Sequence, residues 1–170
     1  MHQIQLQYIY IAANSVFYSV KAGSNSMFSK SSEYAIRAAI YIAAKANKDT
    51  KVGIAEICDH IVAPQPFTAK ILQILSRNNI ISSQKGVNGG FFLDHNQYNT
   101  RLIDVVIAVD GDNLFTGCGL GLKECSETEP CPLHSKFKSL RLGIKKMMEE
   151  ATIGSMSKKL KNGGGFLRKS

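Results

Sequence analysis

The chain has 170 residues, with 21 lysines and arginines against 13 aspartates and glutamates, and its formal net charge is +8. Hydrophobic residues make up 44% of it and charged residues 20%, which is typical of a folded domain and excludes a disordered chain. No apolar run approaches the roughly 18 residues of a membrane span, and four cysteines are too few for a disulfide scaffold.

The basic excess is unevenly distributed along the chain. Residues 27–101 carry a net +4, residues 102–134 a net −5, and residues 135–170 a net +8. A basic protein is expected to meet a polyanionic partner. The acidic centre also holds Cys118, Cys125 and Cys131, so the net charge alone does not describe what this part of the chain does.

Residues 1–26 differ from the sequence that follows. They lack the positive start and the continuous apolar stretch of a secretory signal, because glutamines and asparagine interrupt the apolar residues. We expect an N-terminal extension outside the fold, with Met27 as the natural start. The alternative is an arm that pairs as a strand or packs across a partner.

A first helix is predicted from Ser29 onward, because alanines and isoleucines recur there at three- and four-residue spacing. Ser31 or Ser32 is the expected cap, and Glu33 is favourably placed in the first turn. The helix is expected to end before the polar residues 47–50.

Two shorter helices follow. The second is predicted over Ile54–His60, with Cys58 on its apolar side as a core residue. Pro66 suits the start of the third, Phe67–Arg77. The expected buried stripe of the third helix is Ile71, Leu72, Ile74 and Leu75. The residues expected on its other faces are Thr68, Lys70 and Gln73.

A β-hairpin is predicted next, from the β-branched run Ile80–Gln84, the glycine-rich turn 85–90 and the aromatic run Phe91–Asp94. Three short helices followed by a hairpin are the pattern of a winged helix-turn-helix domain, here residues 27–101. The predicted fold class is therefore mostly α with a small β-hairpin wing, or α+β. The polar third helix and the basic hairpin tip favour DNA binding.

Residues 102–160 are predicted to form the dimerisation region. A buried fourth helix, Arg101–Asp110, is followed by the loop 111–131 and by a long helix from Pro132. Apolar residues of the long helix recur with a 3.5-residue period, which is typical of a seam for a partner helix. These residues are Leu133, Phe137, Leu140, Ile144, Met147 and Ala151. The alternative is that they pack on their own domain.

The chain is predicted to close with a short helix, Thr152–Leu160, and a flexible tail over residues 161–170.

The loop brings three cysteines and a histidine within 17 residues, as Cys118-x6-Cys125-x5-Cys131-x2-His134. These spacings are wider than the C-x2-C of common structural zinc sites, but thiolates suit zinc and iron–sulfur clusters alike. The alternative is three free thiols, or a cysteine pair that oxidises.

In this order, the motifs resemble the bacterial Rrf-type transcriptional regulators, the iron–sulfur sensors of the IscR and NsrR kind. The resemblance covers residues 27–160, about four-fifths of the chain. The segments that carry it are SEYAIR at 32–37, KIL at 70–72, ISSQKG at 81–86, GGF at 89–91, DVV at 104–106, AVD at 108–110, and Cys118…Cys125…PCPLH at 130–134.

The resemblance implies a cytoplasmic homodimer in which the long helices cross and two winged domains read a palindromic operator on double-stranded DNA. The third helix would face the major groove, and the wing would reach the minor groove or its phosphates. The residues implied in the third helix are Gln65, Phe67, Thr68, Lys70 and Gln73. Those implied in the wing are Lys85, Gly86 and Asn88.

The resemblance also implies that Cys118, Cys125 and Cys131 hold a 2Fe–2S or 4Fe–4S cluster. The fourth ligand would be His134 or Glu33 of the partner subunit. The chain would then be a repressor or dual regulator that senses iron–sulfur, nitric oxide or redox status. The alternative is the same DNA-binding dimer with a zinc site, a thiol redox switch or no metal in the loop.

Three departures from the family pattern stand out. The wing tip has Lys85 where many members have arginine, and lysine lacks the planar fork of a guanidinium. The first cysteine interval has six residues where the best-known sensors have five, and residues 1–26 have no counterpart.

The chain is not expected to be an enzyme, because no oxyanion-hole motif or substrate pocket pattern accompanies the cysteines. A module that binds acidic surfaces or membranes through the lysine-rich tail is a further alternative.

Overall fold

The structure is a computed structural model that describes residues 26–47 and 49–167. The predicted extension therefore lies outside the described residues, apart from Ser26. The elements in chain order are α1 (Lys30–Lys45), α2 (Ile54–Ile61), α3 (Gln65–Arg77), β1 (Ser82–Gln84), β2 (Gly90–Phe92), a 3-10 helix (His95–Asn99), α4 (Leu102–Asp110), α5 (Asn113–Thr116), α6 (His134–Glu150) and α7 (Ile153–Lys161). The predicted fold class, mostly helical with one antiparallel hairpin, is confirmed.

The N-cap of α1 lies two or three residues before the expected one. Ser29 is the N-cap, and its hydroxyl accepts a hydrogen bond from the Ser32 backbone N–H at 3.0 Å. The prediction of Ser31 or Ser32 as cap is wrong, because the buried Ser32 hydroxyl donates instead to Asp110 Oδ2 at 2.5 Å. Ser29 also donates to the same carboxylate. These two hydrogen bonds therefore link the start of α1 to the end of α4.

The wing is a short hairpin whose second strand also pairs with Val52, a residue of the core. Its register pairs Ser83 with Phe91, and an isolated antiparallel bridge pairs Val52 with Phe91 on the other side. Gly90 has a φ of +152°, and a side chain there would run into the Val52 carbonyl, so the close approach requires glycine. Gly86 has a φ of +108° and starts the tight tip, in which Gly89 N–H donates to its carbonyl at 2.9 Å.

Helix α1 lies at the centre of one continuous hydrophobic core. It packs against α2, α3, α4 and α7, and buried residues from both predicted regions, including Ile42 and Ile153, belong to the same cluster. The Tyr98 hydroxyl, in the 3-10 helix, donates to the Ala43 and Ala46 carbonyls at 3.4 and 3.3 Å. The winged part and the dimerisation part therefore share a core across residue 101.

Several boundaries differ from the expected ones. Helix α4 begins at Leu102, and its Ile107 is 41% exposed, so the helix is less buried than its apolar sequence predicts. The loop 111–131 contains the one-turn α5, whose Phe115 is buried. The 3-10 helix was not expected; the Asp94 side chain caps it.

Lys161 is the last residue of α7. Beyond it, Gly164 N–H donates to the Lys159 carbonyl at 2.9 Å, and Leu167 packs against the core. The flexibility of residues 161–170 stays a prediction. Residues 168–170 lie outside the described part. None of the helices within the described residues is both long and apolar enough to cross a membrane.

Candidate functional site

Helix α3 presents one polar face to solvent. Gln65, Lys70 and Gln73 are exposed, as predicted, and Arg77 continues the same face at i+7 from Lys70. Phe67 is half-buried, with its ring edge-on to Tyr34 at 5.9 Å between centroids. The sequence interpretation missed Arg77, although its spacing from Lys70 and Gln73 could have identified it.

Thr68 does not lie on the exposed face of α3. It is fully buried, and its hydroxyl donates to the Pro64 carbonyl at 2.9 Å. The prediction of Thr68 on an outer face is wrong, because it falls at i−3 and i−4 from the core residues Ile71 and Leu72. Ile74, which was expected in the core, is half-buried.

The wing tip is fully accessible next to this helix. Lys85, Gly86, Val87 and Asn88 are exposed. The hydroxyls of Ser76, in α3, and Ser83, in β1, lie 3.2 Å apart and form a hydrogen bond. This hydrogen bond joins the first strand of the wing to α3.

The cysteine loop is arranged as two pairs. Cys118 accepts hydrogen bonds from the Leu120 and Leu122 N–H groups, and these lower the pKa of its thiol. Burial raises this pKa. The hydrogen bond with the Cys131 thiol and the charge of Arg141 are smaller lowering effects, and together with the backbone hydrogen bonds they leave the pKa lowered. Cys118 and Cys131 thus form the first pair.

The second pair is Cys125 and His134. The Cys125 Sγ lies 3.4 Å from His134 Nδ1 and accepts a hydrogen bond from Arg141 Nη2 at 3.1 Å. His134 is 6% exposed, and its Nε2 lies 3.3 Å from Glu127 Oε1 without the alignment of a hydrogen bond. Glu127 also accepts from Lys138 Nζ at 2.6 Å, which lowers the pKa of its carboxyl.

The predicted ligands are near one another but do not converge. Within residues 26–47 and 49–167, no three His, Cys, Asp or Glu side chains form a group that could hold a metal ion. Glu33 is elsewhere, at the start of α1, where it forms an ion pair with Lys30 at 2.6 Å. Burial raises the pKa of Glu33, but hydrogen bonds from Lys30 and Ser26 and the nearby charges outweigh this and leave it lowered.

The predicted dimer seam on α6 divides into two sets. Leu133, Leu140 and Met147 follow at seven-residue spacing and are 39%, 60% and 51% exposed. Phe137 is half-buried under the loop, where a side chain at Gly119 would overlap its ring, and Ile144 packs on the core. The exposed stripe alone is therefore available to a second copy.

Comparison with known proteins identifies the family of the chain. A family model described as Rrf2, iron-dependent transcriptional regulator, matches residues 28–159. A protein of Aquifex aeolicus, which bears the name of a candidate HTH-type transcriptional regulator, is 31% identical over 129 residues, covering 75% of this chain and 88% of that protein.

Solved structures share the fold at low sequence identity. CymR, the global cysteine regulator of B. subtilis, superposes with a TM-score of 0.62 at 15% identity, over 77% of this chain and 95% of its own. IscR of T. potens gives a TM-score of 0.61 at 14% identity, over 81% and 90%. The prediction that the chain is not an enzyme is confirmed by its family. The chain belongs to the Rrf2 family of DNA-binding winged helix-turn-helix transcriptional regulators.

Proposed function

We propose that two copies of this chain, in the cytoplasm, read a palindromic operator with α3 and the wing. The observation that carries the proposal is the exposed face Lys70, Gln73 and Arg77 beside the Lys85 tip. Amide side chains of this kind bind adenine edges in the major groove, and lysines and arginines bind phosphates. Gln65, Phe67, Gly86 and Asn88 border this surface and complete it.

Dimerisation through α6 follows from the stripe Leu133, Leu140 and Met147. An exposed apolar stripe with seven-residue spacing is what a crossing helix of a second copy would cover. Phe137 and Ile144 would support this interface from behind, since each is half-buried on its own chain. Two copies related by a two-fold axis match a palindromic site.

We propose further that Cys118, Cys125 and Cys131 hold an iron–sulfur cluster, with His134 or Glu33 of the partner subunit as fourth ligand. Thiolates are the ligands of such clusters. The residues fit the group in chemistry, because three thiols lie near Arg141, whose buried Nη1 has no hydrogen-bond partner within the described part of the chain. The bound cluster would supply sensitivity to iron, nitric oxide or oxidation, and the loop would have to draw the two pairs together around it.

A second candidate is a thiol switch in the same DNA-binding dimer. The observation that favours it is the interaction between the Cys118 and Cys131 thiols, whereas Cys125 interacts with His134 and Arg141. A third candidate is a zinc site in the same loop, since Cys and His are also zinc ligands.

An anaerobic absorbance spectrum with iron, sulfide and zinc counts separates these candidates. A cluster gives visible charge-transfer bands with iron and sulfide in comparable amounts. Zinc without sulfide would assign the loop to a zinc site. Protein that stays colourless and metal-free after reconstitution with iron and sulfide would contradict the cluster and favour the thiol switch.

A further inference from the structure

We propose that Arg141 is a positioning residue of the cysteine loop: it anchors the loop to α6 through Cys125 and keeps a second donor for an anionic sulfur. The second part rests on the proposed function, whereas the first concerns the cluster-free chain alone. The cysteine spacing alone does not point to this arginine.

Helical spacing brings Arg141 to the loop. His134, Phe137, Lys138 and Arg141 follow at i, i+3, i+4 and i+7, so they share one face of α6. Each touches the loop: His134 and Arg141 contact Cys125, Phe137 lies under Gly119, and Lys138 binds Glu127. This loop-facing side of α6 adjoins the exposed stripe of Leu133, Leu140 and Met147, because Phe137 lies at i−3 from Leu140.

On this face of α6, Arg141 has a buried N–H donor that forms no hydrogen bond within the described residues. Its Nη2 donates to Cys125 Sγ at 3.1 Å, but its Nη1 is buried and has no hydrogen-bond partner among the described residues. A buried guanidinium N–H without an acceptor is costly, and it is stabilised best by an anion. The acceptor missing from the described chain is therefore expected to be negatively charged and to lie beside Cys125.

A cysteine-ligated iron–sulfur cluster meets this requirement, because thiolate and sulfide ligands give it a negative charge. Hydrogen bonds and positive charge near the sulfurs raise the reduction potential of such clusters. Lys138 is a less suitable source of this charge, since its ammonium is engaged by Glu127 at the exposed side of the loop.

The anchor is tested on the cluster-free, full-length protein by hydrogen–deuterium exchange of the loop 117–131. We expect R141Q to exchange roughly tenfold faster there than the wild type, because a charge-assisted hydrogen bond is lost. K145Q is the matched control, because it removes a charge one turn further along α6, where Lys145 pairs with Glu149. Loop exchange in R141Q equal to that of the wild type and K145Q would overturn the anchor.

The donor is tested on reconstituted protein by the reduction potential and the rate of cluster loss. We expect R141Q to have a lower potential and severalfold faster loss, with R141K restoring the potential because it restores the charge. Wild-type values in R141Q would overturn the donor role. If R141Q does not fold, as judged by circular dichroism, R141K decides. It must lose the cluster faster than the wild type, since its single nitrogen cannot span Cys125 and the cluster as the two guanidinium nitrogens can.

Failure of the proposed function gives a different result from failure of this inference. If the wild type itself takes up no cluster, the cluster proposal and the donor role both fail. The exchange experiment then still decides whether Arg141 anchors the loop.

Discussion

Tyr41 illustrates at the scale of one residue how a buried polar group is satisfied in this core. It is 4% exposed, its hydroxyl donates to Glu56 Oε1 at 2.8 Å, and its ring stacks on His60 at 3.9 Å between centroids. Burial, followed by the hydrogen bond to the Glu56 carboxylate, raises the pKa of Tyr41 to about 12. The phenol must therefore stay neutral for the contact between α1 and α2 to persist.

This raised pKa predicts a loss of stability in alkaline solution. The unfolded tyrosine has a pKa of about 10, so its contribution is complete below about pH 10 and is lost as the pH rises towards 12. The loss is at most about 3 kcal/mol. Urea unfolding of the wild type and Tyr41→Phe across this range measures it. Parallel stability curves for the two proteins would show that Tyr41 does not titrate with folding.

Lys85 provides a prediction at the wing tip. Lys85→Ala should weaken binding to all DNA sequences and reduce the salt dependence of binding by roughly one phosphate contact, because a lysine acts as a point charge on the backbone. The slope of log affinity against log salt is measured by fluorescence anisotropy. Lys145→Ala, on α6, is the control and should leave the slope unchanged. A Lys85→Ala slope equal to that of the wild type would mean that this residue does not touch phosphate.

The exposure of individual residues could be predicted from the sequence where it depends on local pattern, but contacts made by the tertiary fold could not. Lys70, Gln73 and the wing tip were predicted as exposed because helix period and turn composition are local properties. Thr68 is polar, but its position in the apolar stripe of α3 buries it, as the helix period alone would predict. Arg141 was missed because its role depends on a loop that returns to α6, and no local pattern encodes that return.

Helix α6 shows, at the scale of an element, that apolar residues of one 3.5-residue repeat lie in two different environments: some are exposed, and others pack on the same chain. Its 3.5-residue pattern predicted a single seam, and the structure divides that seam between solvent and its own chain. A repeat of apolar residues specifies a stripe but not the surface that covers it. Phe137 and Ile144 are half-buried because the loop and the core reach them, and these contacts depend on the tertiary fold.

The exposed stripe predicts which substitutions separate the dimer. Leu140→Glu combined with Met147→Glu should give monomers with a folded winged part, because both side chains are exposed in the single chain. Leu142→Glu is the matched control, since Leu142 is 57% exposed but lies on the opposite face of α6. Sedimentation equilibrium measures the mass. A dimer that survives the double substitution, or dissociates equally with Leu142→Glu, would locate the interface elsewhere.

At the scale of the whole molecule, long-range hydrogen bonds join the start of α1 to the end of α4, next to the cysteine loop. Asp110, the last residue of α4, accepts from the hydroxyls of Ser29 and Ser32 at the start of α1. The loop begins at the next residue, so its base is fixed to the central helix of the core. The sequence predicted each of these segments but not their contact, because residues about 80 positions apart carry no shared local pattern.

Removing the Asp110 carboxylate should destabilise the whole fold. Asp110→Ala leaves the fully buried Ser32 hydroxyl without its acceptor, which costs about 1–3 kcal/mol of unfolding free energy. Asp112→Ala, two residues on and exposed, should cost little by comparison. Chemical denaturation of both variants measures the difference. Equal stability of the two variants would show that the link between α1 and α4 contributes nothing.

We propose that the cysteine loop controls how tightly the winged domains hold an operator. The most direct test selects DNA from random duplexes and then measures its Kd for cluster-loaded and cluster-free protein at one salt concentration. We predict a palindromic site and a change in Kd of about tenfold or more, the usual size of coupling between two sites. Equal affinities in the two states, or no selected sequence, would contradict the claim.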